Sequence, residues 1–128
     1  MKTSFSTAIT TLVAAFFMTA QAAPTKLEAR SSMSGDATYY SVGSGSCGGT
    51  NSESELVAAL SEELMGTGSD GPYCGKSITI NGKDGKSVTV KVVDSCPGCA
   101  KGDVDLSPTA FKKLGSLDTG VIPITWSL

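Results

Sequence analysis

The chain has 128 residues, with 10 Lys or Arg against 12 Asp or Glu and a formal charge of −2. That length fits one domain behind a short leader, and scattered basic residues, with Lys112-Lys113 the single adjacent pair, exclude a phosphate-tracking surface and a nucleic-acid partner. Histidine is absent, which removes His-based triads, His-ligated metals and His general acids.

Lys2 gives a positive start, and Ala8 to Ala20 is an apolar stretch broken only by Thr10, Thr11 and Thr19. Ala20-Gln21-Ala22 then puts small residues where a signal peptidase reads, so residues 1–22 are expected to be a secretory signal. The apolar core is too short to span a bilayer, which takes about 20 residues. No second apolar run of that kind follows, so a secreted, extracellular protein without a membrane partner is expected. Residues 23–34 are polar, lack periodicity and contain Arg30; they read as a flexible lead or short propeptide, with 35–128 as the folded domain.

Within that domain Ala37-Thr38-Tyr39-Tyr40 has strand character, and a Gly/Ser loop from Val42 to Asn51 carries Cys47. Leu56 to Leu60 is apolar, after which Ser61-Glu62-Glu63 is expected to cap a short helix ending near Gly66. Another turn-rich loop, Gly66 to Pro72, leads to Cys74. Ser77 to Ile80 alternates, Asn81-Gly82-Lys83-Asp84-Gly85 reads as a hairpin loop, and Val88, Val90 and Val92 predict one buried face. Asp103 to Leu106 is a short extended piece. Ser107-Pro108 opens a helix, with serine as N-cap and proline where a missing N–H costs nothing, and Gly115 stops it. Ile122, Ile124 and Trp126 predict a last strand. Short strands with one or two small helices point to an all-β chain, and a small closed barrel leaves the fewest strand edges unpaired.

Four cysteines allow three pairings. Cys96-Pro97-Gly98-Cys99 closing on itself leaves Cys47 for Cys74; the chain-entropy model gives the longer loop roughly 3.5 kcal/mol and the short one about 2. That pairing is preferred, although spacing alone does not decide it. A four-thiolate zinc site needs short spacing on both sides and finds one C-x-x-C here, so no metal or other cofactor is expected. Redox catalysis by Cys96 and Cys99 is disfavoured as well, because Ala100-Lys101-Gly102 is not a helical start.

The order of motifs carries a resemblance. Gly35 to Tyr40, Ser46-Cys47-Gly48, Tyr73-Cys74-Gly75-Lys76, Val92 to Cys96, Asp103 to Phe111 and Ile124-Thr125-Trp126 resemble the double-psi β-barrel shared by expansins, barwin-like and rare-lipoprotein-A-like proteins. The small single-domain loosenin-like and papain-inhibitor-like members are the most similar in style. The resemblance implies an all-β, six-stranded double-psi β-barrel with one or two short helices and a Cys47–Cys74 bond. It also implies a polysaccharide groove in which Thr38, Asp94 and Asp105 match polar positions. The family's groove aromatic, two residues after the first aspartate, is replaced by Cys96. Tyr39 or Tyr40 is the candidate substitute; side chains alternate along a strand, so at most one of them is expected to line a groove.

In related family-45 glycosidases an acid carboxylate, matched by Asp105, works with a base in the first-strand motif; here Tyr39-Tyr40-Ser41-Val42 holds no carboxylate. Peptidoglycan-cleaving relatives use a histidine that this chain lacks. No catalytic residue is therefore expected. The leading reading is a secreted expansin-like protein that binds or loosens cell-wall polysaccharide, weakly and without hydrolysis. The alternative is a protein-binding module, a cysteine-protease inhibitor or an effector, using the Gly43-to-Asn51 and Gly66-to-Pro72 loops. A monomer is expected. Asp105 also has a structural reading, as an acceptor for loop N–H groups ahead of the Ser107 cap.

Overall fold

Six strands close into a ring in the order β1-β5-β2-β4-β3-β6 in the computed structural model, which describes residues 32–128. They are β1 (Ser32–Tyr39), β2 (Val57–Ser61), β3 (Ser77–Asn81), β4 (Ser87–Cys96), β5 (Val104–Leu106) and β6 (Ile122–Ser127). Two short helices, α1 (Glu62–Met65) and α2 (Pro108–Lys112), and one 3₁₀ turn (Leu117–Thr119) complete it. The signal sequence and the Arg30 cleavage site lie outside the described residues. The first strand, however, reaches back to Ser32, ahead of the expected start at Gly35. Met33 pairs with Trp126 of β6 and is buried, so three residues assigned to the lead belong to the barrel.

Alternation fills the interior. Ile78, Ile80, Val88, Val90, Val92, Val104, Leu106, Ile122, Ile124 and Trp126 all point into one core, joined by Ala110 and Phe111 from α2. Ser107 caps α2 as its sequence predicts, its hydroxyl oxygen accepting from the Ala110 N–H at 3.2 Å. Ser61 does not cap α1. It is fully buried, and its hydroxyl turns to donate to the Lys101 carbonyl at 3.4 Å.

The barrel mixes pairings. β1–β5 and β2–β4 are parallel, while the other contacts around the ring are antiparallel. Parallel neighbours need crossover connections, and the link from β4 to β5 crosses β1 with no room for side chains. A Cβ on Gly102 would lie 2.0 Å from the Ser34 carbonyl oxygen, and one on Gly35 would lie 2.3 Å from that of Gly102. Trp126 locks the crossing, its indole N–H donating to the Gly102 carbonyl at 2.8 Å. Two disulfides, Cys47–Cys74 and Cys96–Cys99, brace the loops at Cα separations of 5.6 and 5.4 Å.

Candidate functional site

Register, more than sequence proximity, assembles the site. Thr38 pairs with Asp105, Asp105 with Ala59, and Ala59 with Asp94, which sets the four in one row across β1, β5, β2 and β4. Directly paired residues face the same side of a sheet. Their strand neighbours Ala37, Val104, Leu106, Ala58 and Leu60 are buried in the core, so the row faces away from it; Ala59 is nonetheless covered, while Thr38, Asp94 and Asp105 are half-buried. Asp105 and Asp94 stand two strand spacings apart, roughly 9.6 Å between Cα atoms, with the methyl of Ala59 between them.

A bulge puts Asp94 in that row. Ala58 pairs with Val92 and Ala59 with Asp94, so Val93 is the extra residue in β4. The sequence carried a trace of it: two consecutive valines, Val92 and Val93, interrupt the strict alternation of β4 and both are buried. Ala59 itself gave no sign in the sequence, since only its pairing on both sides reveals it as the floor between the carboxylates.

The two aspartates differ in what they hold. Asp94 Oδ1 accepts the Ser46 N–H at 2.9 Å and its neighbour Ser95 N–H at 2.8 Å, so it fastens the Cys47 loop onto β4. That loop lies against the strand: a Cβ on Gly45 would come within 2.3 Å of the Val93 carbonyl oxygen. Asp105 is half-buried and receives the Thr38 hydroxyl at 2.9 Å. Burial raises its carboxyl above the ordinary value; the Thr38 hydrogen bond opposes the rise and the charge of Asp94 adds to it. Binding loop amides falls to Asp103 instead, which accepts from the N–H groups of Asp36 and Ala100 at 2.9 and 3.1 Å.

Tyr40 is the ring beside this pair. Burial raises its phenol above the ordinary value, and the charges of Asp94 and Asp105 push it further, so its hydroxyl remains a donor at neutral pH. Tyr39 points the other way along β1 but emerges past the end of the barrel. It shares with Tyr40 an open cleft of about 450 Å³, bounded also by Glu53, Pro108, Lys112 and Leu117. The alternation argument that allowed only one tyrosine to line a cleft fails here, because β1 ends at Tyr39 and the cleft runs over the barrel rim.

Beyond the Asp94 end lies a second open hollow of about 300 Å³, between the Cys47–Cys74 disulfide and the β4 segment from Lys91 to Val93. Two residues past Asp94, at the C-terminal end of β4, Cys96 Sγ sits 4.0 Å from Asp105 Oδ2. Cys96, Cys99 and Asp105 bring three ligand-type atoms within 4.8 Å of one another, but both sulfurs are spent in the disulfide. Among the described residues no helix is long and apolar enough to cross a membrane.

Comparisons with known proteins agree with this geometry. The family model described as lytic transglycolase, a double-psi β-barrel domain, matches residues 32–126. A papain inhibitor of Streptomyces mobaraensis is 37% identical over 73% of this chain and 69% of its own length. The expansin YoaJ of Bacillus subtilis is 38% identical over 72% of this chain, which spans 41% of that protein. An allergen homologue of Arthroderma benhamiae is likewise matched over 30% of its length. Among solved structures, the Streptomyces papain inhibitor superposes with a TM-score of 0.68 at 35% identity, covering 75% of this chain and 92% of that one. A mutant expansin of Clavibacter michiganensis in complex with cellohexaose superposes at 0.66 and 29% identity, over 77% of this chain and 50% of that one.

Proposed function

Because the chain belongs to the double-psi β-barrel family described as lytic transglycolase, we propose that it is a secreted, expansin-like protein that binds cell-wall polysaccharide without hydrolysing it. One observation carries the reading. Asp105 is half-buried beside Tyr40 and takes its hydrogen bond from a side chain, Thr38, while loop amides are served by Asp103 and Asp94. A carboxylate and two hydroxyls on one side of the sheet suit a hydroxyl-rich ligand, and the expansin solved in complex with cellohexaose, of which this chain covers 50%, supports a glycan as the class of ligand.

Hydrolysis needs a second carboxylate to activate water or attack the sugar. Asp94 Oδ1 is committed to two backbone N–H groups, and the sequence offers no histidine in its place. Binding and loosening are the chemistry proposed for the row.

The test is retention on insoluble cellulose, chitin and β-glucan, with Asp105→Ala as the variant. Loss of retention in the variant and no release of reducing sugar from soluble β-glucan are the expected results. Sugar release that disappears in Asp105→Asn would overturn the non-hydrolytic reading.

A second reading, protein binding of the cysteine-protease-inhibitor type, is favoured by the match over 92% of the papain inhibitor chain. The Gly43-to-Asn51 loop also supports it. The loop is closed on itself by the Gly45 N–H to Gly49 carbonyl and Asn51 N–H to Gly43 carbonyl bonds, and stapled through Cys47. A loop this restrained loses little entropy on docking. Nanomolar inhibition of papain unaffected by Asp105→Ala would select this reading over the first.

A further inference from the structure

We propose that the rim cleft at Tyr39 is a stacking subsite for one pyranose ring of a glycan chain, continuing the groove past Tyr40. The inference rests on the polysaccharide reading and assigns that reading a second contact region, away from the aspartate row.

The state of the Tyr39 ring points to it. The ring is 39% exposed, the largest aromatic surface that the described residues leave open to solvent. It is nonetheless held at both ends. It packs against the fully buried Phe111, with centroids 4.9 Å apart and planes tilted by 60°, and its hydroxyl donates to the Leu117 carbonyl at 3.1 Å. An exposed ring normally loses side-chain freedom when a ligand settles on it; this one has already lost it, so stacking costs little.

The chemistry around the ring fits a sugar. A pyranose has an apolar C–H face and a rim of hydroxyls. Tyr39, Pro108 and Leu117 supply apolar surface, while the Glu53 carboxylate and the Lys112 ammonium, of opposite sign, supply an acceptor and donors at the edge. The floor is also fixed in place, because the Thr109 hydroxyl ties α2 to the Glu53 carbonyl at 2.7 Å. Continuity completes the case. Tyr40 lines this cleft and stands within the field of Asp105 and Asp94, so a chain reaching from the row over the rim meets Tyr39 next.

The experiment is titration calorimetry with cello-oligosaccharides of two to six glucose units. The expected result is an affinity that climbs about tenfold between the short and the long oligomers, the weight of one well-placed aromatic contact. Tyr39→Leu, which keeps apolar cover over Phe111 but removes the flat face, abolishes that climb; Tyr39→Phe keeps most of it; Asp105→Ala weakens every length by the same factor. Thermal melting of each variant confirms its fold. Full length dependence in a folded Tyr39→Leu protein would overturn the subsite and leave the aspartate groove standing. Equal losses in Tyr39→Phe and Tyr39→Leu would overturn stacking as its basis. Absence of binding at every length would overturn the groove reading itself, and the subsite with it.

Discussion

Asp94 and Asp105 flank the same alanine, yet one holds two backbone amides and the other a single side-chain hydroxyl. The Asp94 end is tied down: its carboxylate holds two amides, the loop it holds carries Cys47, and Cys47 is bonded to Cys74. The Asp105 end is lightly held, with one hydroxyl from Thr38 and a carboxyl raised by burial. Two residues of one type, in one row, thus carry different loads within the fold. What separates them is their donors: Asp94 takes one N–H from the Cys47 loop and one from its neighbour Ser95, whereas Asp105 takes the Thr38 hydroxyl.

Removing supports from the tied end should cost most. Replacing Cys47 and Cys74 by serine frees a loop of 27 residues' separation and should lower the unfolding free energy by about 3.5 kcal/mol in the chain-entropy model, measured by denaturant titration against the parent. Asp94→Ala should cost about 2 kcal/mol, since two amides lose a charged acceptor. In the same variant, hydrogen exchange at the Ser46 amide should quicken. A neutral Asp94→Ala would mean that the disulfide alone holds the loop.

The smallest effect belongs to Asp105→Asn, and its sign is the informative part. A carboxyl whose folded pKa is raised binds its proton more tightly in the fold than in the unfolded chain. Its stability contribution is therefore fully present below the ordinary value of 3.8 and is lost as pH rises through the folded value. At pH 7 the wild-type carboxylate is a net cost, so Asp105→Asn should melt slightly higher there, and the margin should close in acid below that value. A clear loss of stability at pH 7 would assign Asp105 to the framework and dissolve the contrast with Asp94.

Much of the barrel was readable in the chain because its signals are local. The Val88-Val90-Val92 alternation gave β4 its inner face, and Ser107-Pro108 gave α2 its start, each through chemistry confined to a few neighbours. The first residues of β1 escaped notice because Ser32-Met33-Ser34-Gly35 offers a single apolar side chain; their strand state comes from pairing with β6, distant in sequence. The order of strands around the ring came from a resemblance and not from periodicity. Within the candidate site, Thr38, Asp94 and Asp105 were named through that same resemblance, with Tyr39 or Tyr40 as the substitute for the missing ring. Their division of labour was not, because it depends on Ala59 as common neighbour, on the bulge at Val93 and on Asp103 taking the loop amides. Residues that matter through a register leave almost no mark on a linear pattern.

The closing of β6 onto β1 has a consequence beyond packing. Strands open along one side act as templates on which foreign or misfolded chains can grow, the first step toward fibrils. A ring offers no starting place for such growth. With its strands closed on one another, the barrel leaves a partner to be recognised chiefly by side chains.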